Sequence, residues 1–285
     1  MKVLDLFSGI GGFSLGLERA GMETVAFCEF DKHAQKVLKK HWPHVPIHDD
    51  IRTLDAKKYR GTIDVVCGGF PCQDLSVAGK GAGFGGERSS LYREMLRIIS
   101  ECLPRYAIFE NVTGLLTGER GRWFAKLLYD LAEVGYDAEW HCISASYISA
   151  PHHRDRVWIV AYPEHNGQIA TQERQGIQKR NGDNEKRKIT TWELEGLLGQ
   201  RILANPNDKR CERFPKIAEL LKQQVELMRS SAQESGRFNL SEPGLCGADD
   251  GVSGRSHRLK QLGNSVVPQI PEAIGRAIME IESIQ

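Results

Sequence analysis

What this chain lacks narrows its class before any motif is weighed. No apolar run approaches the length of a membrane span, so no spanning helix is expected. Cys-x-x-Cys pairs are missing. The seven cysteines are odd in number and scattered, which points to reduced thiols, a cytosolic protein and no zinc cage. A charge interrupts the start, Met1-Lys2-Val3-Leu4-Asp5, too early for a signal peptide. An overall excess of one charge is missing too, because 38 Lys/Arg nearly cancel 37 Asp/Glu. The balance is nevertheless uneven: residues 165–230 carry 13 Lys/Arg against 9 Asp/Glu. A basic segment of this kind follows a phosphate backbone or forms a solvated face.

What is present is alternation. The 285 residues suffice for one large domain and a small one. Val3 to Phe7 reads as a strand, Ser8 to Gly12 as a glycine loop, and Phe13 to Ala20 as a helix. Strands follow at Thr24–Phe30, Ile63–Cys67, Tyr106–Phe109, Ala138–Ser144 and Arg156–Ala161. Helices are expected at Asp31–His41, Tyr92–Cys102, Arg122–Glu133 and Pro271–Ile284. This order predicts an α/β fold, a mostly parallel sheet covered on both faces. The pattern stops near Tyr162-Pro163. Residues 165–190 read as polar loop, and helical spacing returns over Arg213–Met228.

Three features carry chemistry. Gly9, Gly11 and Gly12 open the first helix and let a ligand approach the backbone. Ser14 stands where a dinucleotide fingerprint needs glycine, which argues against a pyrophosphate ligand. Glu29, at the end of the second strand, is placed to accept ribose hydroxyls. Phe70-Pro71-Cys72 ends an apolar strand through glycines, so Cys72 is the candidate nucleophile. Cys28, Cys67, Cys102 and Cys142 lie inside regular elements and are expected to be packed thiols. His152-His153 has no apparent third ligand, so no metal site is expected.

In order, Asp5-Leu6-Phe7-Ser8-Gly9-Ile10-Gly11-Gly12, Phe70-Pro71-Cys72-Gln73, Glu110-Asn111-Val112 and Leu262-Gly263-Asn264-Ser265-Val266 resemble the C5-cytosine DNA methyltransferase family. The resemblance covers residues 1–163 and 251–285. It implies a Rossmann-like, doubly wound, S-adenosylmethionine-dependent methyltransferase domain with a small, irregular target-recognition domain. The catalytic domain would span residues 1–164 plus 251–285, and the recognition domain 165–250.

The resemblance also implies roles. Cys72 adds to cytosine C6, and Glu110 meets N3. Arg154, in Pro151-His152-His153-Arg154-Asp155-Arg156, approaches the base and thiolate. Asn111 orients the loop or the base, and Arg156 supports Arg154 or a phosphate. His152, where glutamine is common, has no assigned role. Phe7, Ser8, Gly9, Ile10, Gly11, Glu29, Phe30, Asp50, Ile51, Pro71, Asn264 and Val266 form the cofactor set, Asp50 meeting the adenine amino group. Gln73, Ser76, Lys80 and Arg88 lie in a glycine-rich closing loop that faces DNA. The implied partner is double-stranded DNA, with a flipped cytosine. A cytoplasmic, monomeric bacterial or phage enzyme is expected, with or without a cognate restriction endonuclease. Competing readings are a transfer-RNA substrate, an inactive DNA-binding homologue and a nicotinamide dehydrogenase. A missing Cys-Phe-Thr segment, intact Cys72, Glu110 and Arg154, and Ser14 argue against them in turn.

Overall fold

A computed structural model describes residues 1–71, 90–148, 150, 154–163, 222–227, 230 and 261–283. Seven strands form one sheet: β1 (Lys2–Leu6), β2 (Glu23–Cys28), β3 (Ile47–His48), β4 (Val65–Gly68), β5 (Tyr106–Val112), β6 (Tyr136–Ser144) and β7 (Asp155–Pro163). Their order is β3-β2-β1-β4-β5-β7-β6. β1 to β5 run parallel, and β7 runs antiparallel between β5 and β6. The α/β, doubly wound architecture read from the sequence is therefore the observed one.

The helices are α1 (Gly12–Arg19), α2 (Lys32–His41), α3 (Ser90–Cys102), the short α4 (Gly114–Thr117), α5 (Arg122–Glu133) and α6 (Gln269–Ser283). Local chemistry sets their ends. The Asp31 carboxylate caps α2 by accepting from His33 and Ala34 N–H, and Lys39, Lys40 and His41 complement its C-terminus. Among the described residues no helix is long and apolar enough to cross a membrane. Residues 222–227 are helical, within the predicted 213–228. The remainder of 165–250 lies outside the described residues, as does most of the proposed recognition domain.

Period-2 alternation in the strands builds two cores. Leu4, Leu6, Val66, Ala107, Phe109, Val157 and Ile159 face α3 and α5. Val3, Val65, Ile108, Trp158 and Val160 face the side covered by Phe13 and Leu17 of α1 and Ile274 and Ile278 of α6. Each fully buried large side chain contributes about 1.5–3 kcal/mol of transfer free energy. Helix α6 docks tightly on α1, because a Cβ on Gly16 would stand 2.2 Å from the Pro268 carbonyl oxygen.

One expectation fails. Cys28, Cys67 and Cys102 are buried, but Cys142 is exposed. It lies near the end of β6, the last strand of the sheet. The cover from α5 is made further back along the strand, where the Phe124 ring meets Trp140.

Topology positions the site. The strand order reverses between β1 and β4, and ligands bind outside the carboxyl ends of strands at such a point. The glycine loop leaves β1 there, Gly69-Phe70-Pro71 leaves β4 beside it, and β5 ends alongside. Because β7 is antiparallel, its beginning reaches the same edge: Arg156 pairs in register with Val112.

Candidate active site

At the end of β1 the chain turns through Phe7, which holds a left-handed φ of 51° that non-glycine residues seldom adopt. Ser8 follows, buried, its hydroxyl donating to the Asp5 carbonyl at 2.7 Å. Gly9 has φ 54°, and a Cβ there would meet nothing within 4 Å, so the loop opens into free space. The Gly9 N–H donates to Glu29 Oε2 at 2.7 Å, and the Asp31 N–H to Glu29 Oε1 at 2.7 Å. Burial nonetheless pushes the Glu29 carboxyl above the usual carboxylate range, against these two amides.

Three amides of the loop are already occupied: Ser8 N–H by the Cys28 carbonyl, Gly11 N–H by the Ser8 carbonyl, and Gly9 N–H by Glu29. Beneath them lies Asp5, fully buried, accepting from the Ser14 hydroxyl at 2.7 Å. Ser14 thus fills the missing-glycine position with an anchor to a buried acid. Ile10 is half-buried and borders the same turn.

Phe30 is 73% exposed beside Glu29, an aromatic face open to a ligand. Asp50 caps the turn Ile51–Thr53 through the Arg52 N–H at 3.0 Å and holds the Arg52 guanidinium, which keeps its carboxyl low. Ile51 is buried. Asp49 is bound to Lys32 at 2.8 Å and Gln35 at 2.9 Å. From the far end of the chain, Val266 comes against Gly12, its carbonyl oxygen 2.6 Å from where a Cβ would stand, while Asn264 is exposed.

The second half of the site surrounds the β4 exit. Buried Phe70 packs on Phe109 and Tyr92. Asn111, buried at the end of β5, donates from Nδ2 to the Phe70 carbonyl at 3.1 Å. It therefore fixes the backbone next to half-buried Pro71. Glu110 Oε2 lies 3.0 Å from the Cβ position of Gly69. Arg156 Nε meets Glu110 Oε1 at 3.0 Å. Burial raises the Glu110 pKa, and the Arg156 and Arg154 guanidiniums pull it back down. Arg154 donates from Nη1 to the Gly263 carbonyl. Its own pKa is lowered by burial and by Arg156 beside it.

The structure thus brings together Glu110, Asn111, Arg154, Arg156 and Pro71 at one edge, next to the Gly9–Glu29 loop. Cys72, Gln73, Ser76, Lys80, Arg88 and His152 lie outside the described residues. The family model for C-5 cytosine-specific DNA methylase matches residues 1–238.

The chain belongs to that family.

Among curated DNA methylase relatives, the type II methyltransferase M.Eco47II of Escherichia coli is 40% identical over 161 residues, 56% of this chain and 39% of that protein. M2.BsuMI of Bacillus subtilis is 39% identical over 165 residues, 56% of this chain and 42% of that protein. M.NgoFVII of Neisseria gonorrhoeae is 30% identical over 240 residues, covering 83% of this chain and 61% of that protein. The chain therefore spans less than two thirds of each of these methyltransferases.

Two residues of this methylase site escape a reading by motif. Gly263 acts through its carbonyl, which no side-chain pattern reveals. Arg97, on α3, contacts the Asp50–Leu54 turn, and only its helical spacing from Glu94 and Glu101 signals an anchored guanidinium.

Proposed function

We propose that this chain transfers a methyl group from S-adenosylmethionine to C5 of a flipped-out cytosine in a specific double-stranded DNA sequence, through a covalent Cys72–C6 adduct. One observation carries the reading. A half-buried carboxyl, Glu110, is paired with Arg156 and lies in the field of Arg154, beside a strand exit that Asn111 clamps one residue before Pro71. Cytosine C5 is a poor nucleophile, and this constellation meets that difficulty.

Cys72 thiolate adds to C6, and the displaced electron pair is accommodated at N3. Burial favours the protonated form of Glu110, which delivers its proton to N3 and leaves C5 enamine-like. Arg154 and Arg156 stabilise the Glu110 carboxylate that results and offset negative charge near the thiolate. S-adenosylmethionine, when bound, would supply the electrophilic methyl group that C5 takes up, leaving S-adenosylhomocysteine. A base then removes the C5 proton, the C6–S bond breaks, Cys72 departs as thiolate, and N3 returns its proton to Glu110.

Glu29 would hold the ribose hydroxyls of the donor. Phe30, Ile51 and Asp50 would take its adenine, and Phe7, Ser8, Gly9, Ile10, Gly11, Pro71, Asn264 and Val266 would line the rest. The occupied loop amides and buried Asp5 fit a cationic donor without phosphate. Pro71 leaves the end of the sheet, and a nucleophile following it in sequence would be out of reach of a stacked base, so the target would leave the duplex, at a cost of about a few kcal/mol. Gln73, Ser76, Lys80 and Arg88 would close over it, and residues 165–250 would read the flanking sequence. Residues 1–164 and 251–285 form the catalytic domain in this reading. A bacterial or phage cytoplasmic enzyme acting as a monomer, with or without a partner restriction endonuclease, is consistent with its type II relatives.

The test is incubation with S-adenosylmethionine and unmethylated genomic DNA, then sequencing of 5-methylcytosine at single-base resolution. Methylation confined to one short context is expected. Folded protein that leaves every site unmodified would contradict the proposal and turn attention to RNA.

A further inference from the structure

The turn Asp50–Leu54 carries two residues of the proposed donor site, yet it is a short 3-10 segment at the weak edge of the sheet, after a two-residue strand. The hydrogen-bond geometry of such a segment is poorer than an α-helix's, and its own bonds from the Thr53 and Leu54 N–H groups are 3.2 and 3.3 Å long. Contacts on its inner side add a second support.

Arg97 stands in the middle of α3 and points at the turn. Its Nη2 donates to the Ile51 carbonyl at 2.9 Å, and its Nη1 to the Leu54 carbonyl at 3.1 Å. One planar guanidinium thus grips both ends of the turn. Two carboxylates set the guanidinium in turn: Glu94 receives Nε at 2.7 Å, and Glu101 receives Nη1 at 2.9 Å. Glu101 Oε2 also accepts the Ala56 N–H at 3.2 Å, extending the grip past Leu54. On the outer side Arg52 holds the Asp50 carboxylate, and the Thr53 hydroxyl donates to the Asp50 carbonyl at 3.1 Å. The polar contacts that hold the two carbonyls of the turn come from Arg97 of α3, and the fork geometry is one that lysine cannot reproduce.

We infer that Arg97 is a positioning residue that sets the recognition of the adenine end of the methyl donor, by clamping the Ile51 and Leu54 carbonyls so that Asp50 and Ile51 face the base in one geometry. The inference rests on the proposed donor site. It goes beyond that reading because Arg97 touches neither donor nor cytosine and acts only through the turn. A group that merely packs would affect folding alone. A group that sets Asp50 affects discrimination at the adenine amino position.

The experiment is calorimetric titration of the full chain and of Arg97→Ala and Arg97→Lys with two ligands. These are S-adenosylhomocysteine and S-inosylhomocysteine, in which an oxygen replaces the adenine amino group. Wild type should bind the adenosyl ligand more tightly. Arg97→Ala should weaken that ligand about tenfold, as expected for loss of charge-assisted hydrogen bonds, and bring the two ligands toward equal affinity. Arg97→Lys, which reaches one carbonyl at most, should fall between. Thermal unfolding identifies a variant that does not fold, and the lysine variant then carries the comparison. Unchanged affinity, or equal weakening of both ligands with discrimination intact, would overturn the inference. Failure of the wild type to bind either ligand would instead remove the donor-site reading itself, and the clamp with it.

Discussion

Asp5 shows how a single buried acid shapes the methylase core. It has no exposed surface, one oxygen on the Ser14 hydroxyl, and Oδ1 without a hydrogen-bond partner. Burial pushes its pKa from 3.8 up to about 7, overriding the Ser14 bonds that lower it. The consequence for stability has a definite sign. A raised native pKa means that the folded state holds the proton more tightly, so the contribution is present below about pH 4 and is lost as pH rises through about 7. The span corresponds to roughly 4 kcal/mol at most. Asp5→Asn should flatten this dependence: between pH 5 and pH 8 the variant should lose less stability to urea than wild type does. Parallel curves for the two proteins would contradict the assignment. Burial raises the Glu110 pKa as well, with the Arg156 and Arg154 guanidiniums opposing it.

At the scale of elements, the contact between α1 and α6 carries the site. The segment before α6 places Gly263 on Arg154 and Val266 on Gly12, so the reactive edge and the glycine loop share one support. Gly16 sets how closely that support can approach, since its missing Cβ faces backbone rather than a movable side chain. Gly16→Ala should cost about 1–3 kcal/mol, as overpacking does, seen as a lower urea midpoint with unchanged slope. An unaltered midpoint would show that α6 docks less tightly than the structure indicates.

Elements were the most legible part of the sequence. The Arg122–Glu133 helix was read to the residue, because its apolar positions keep a 3.6 period and turn residues flank it. The expected Thr24–Phe30 strand starts one residue late and runs two residues past the observed Glu23–Cys28, since apolar Phe30 continues the pattern beyond the point where Glu29 turns to the Gly9 and Asp31 amides. Cys142 was misplaced because alternation identifies a strand's faces but not where its helical cover ends. The clamp of Arg97 and the Glu110–Arg156 pair were illegible for a stronger reason. Both depend on partners about 45 residues away that only sheet register and helix docking bring into reach.

At the scale of the whole molecule, the topology does one thing repeatedly: it delivers reactive groups to the carboxyl edge of the sheet. Parallel β1, β4 and β5 end there, and antiparallel β7 starts there. The glycine loop, the Phe70-Pro71 exit, Glu110 and Arg156 are neighbours for that reason, despite their separation in sequence. In the proposed reaction this edge would aim the Cys72 sulfur at cytosine C6. The measurement that tests it most directly uses mixed-sequence duplexes in which 5-fluorocytosine replaces cytosine, incubated with S-adenosylmethionine and examined by mass spectrometry under denaturing conditions. Fluorine at C5 blocks the final elimination, so a covalent intermediate must persist. A denaturant-stable protein–DNA adduct mapping to Cys72, and absent from Cys72→Ala, is the predicted result. Methylation of ordinary cytosine without any trapped adduct, or an adduct on another residue, would contradict the account.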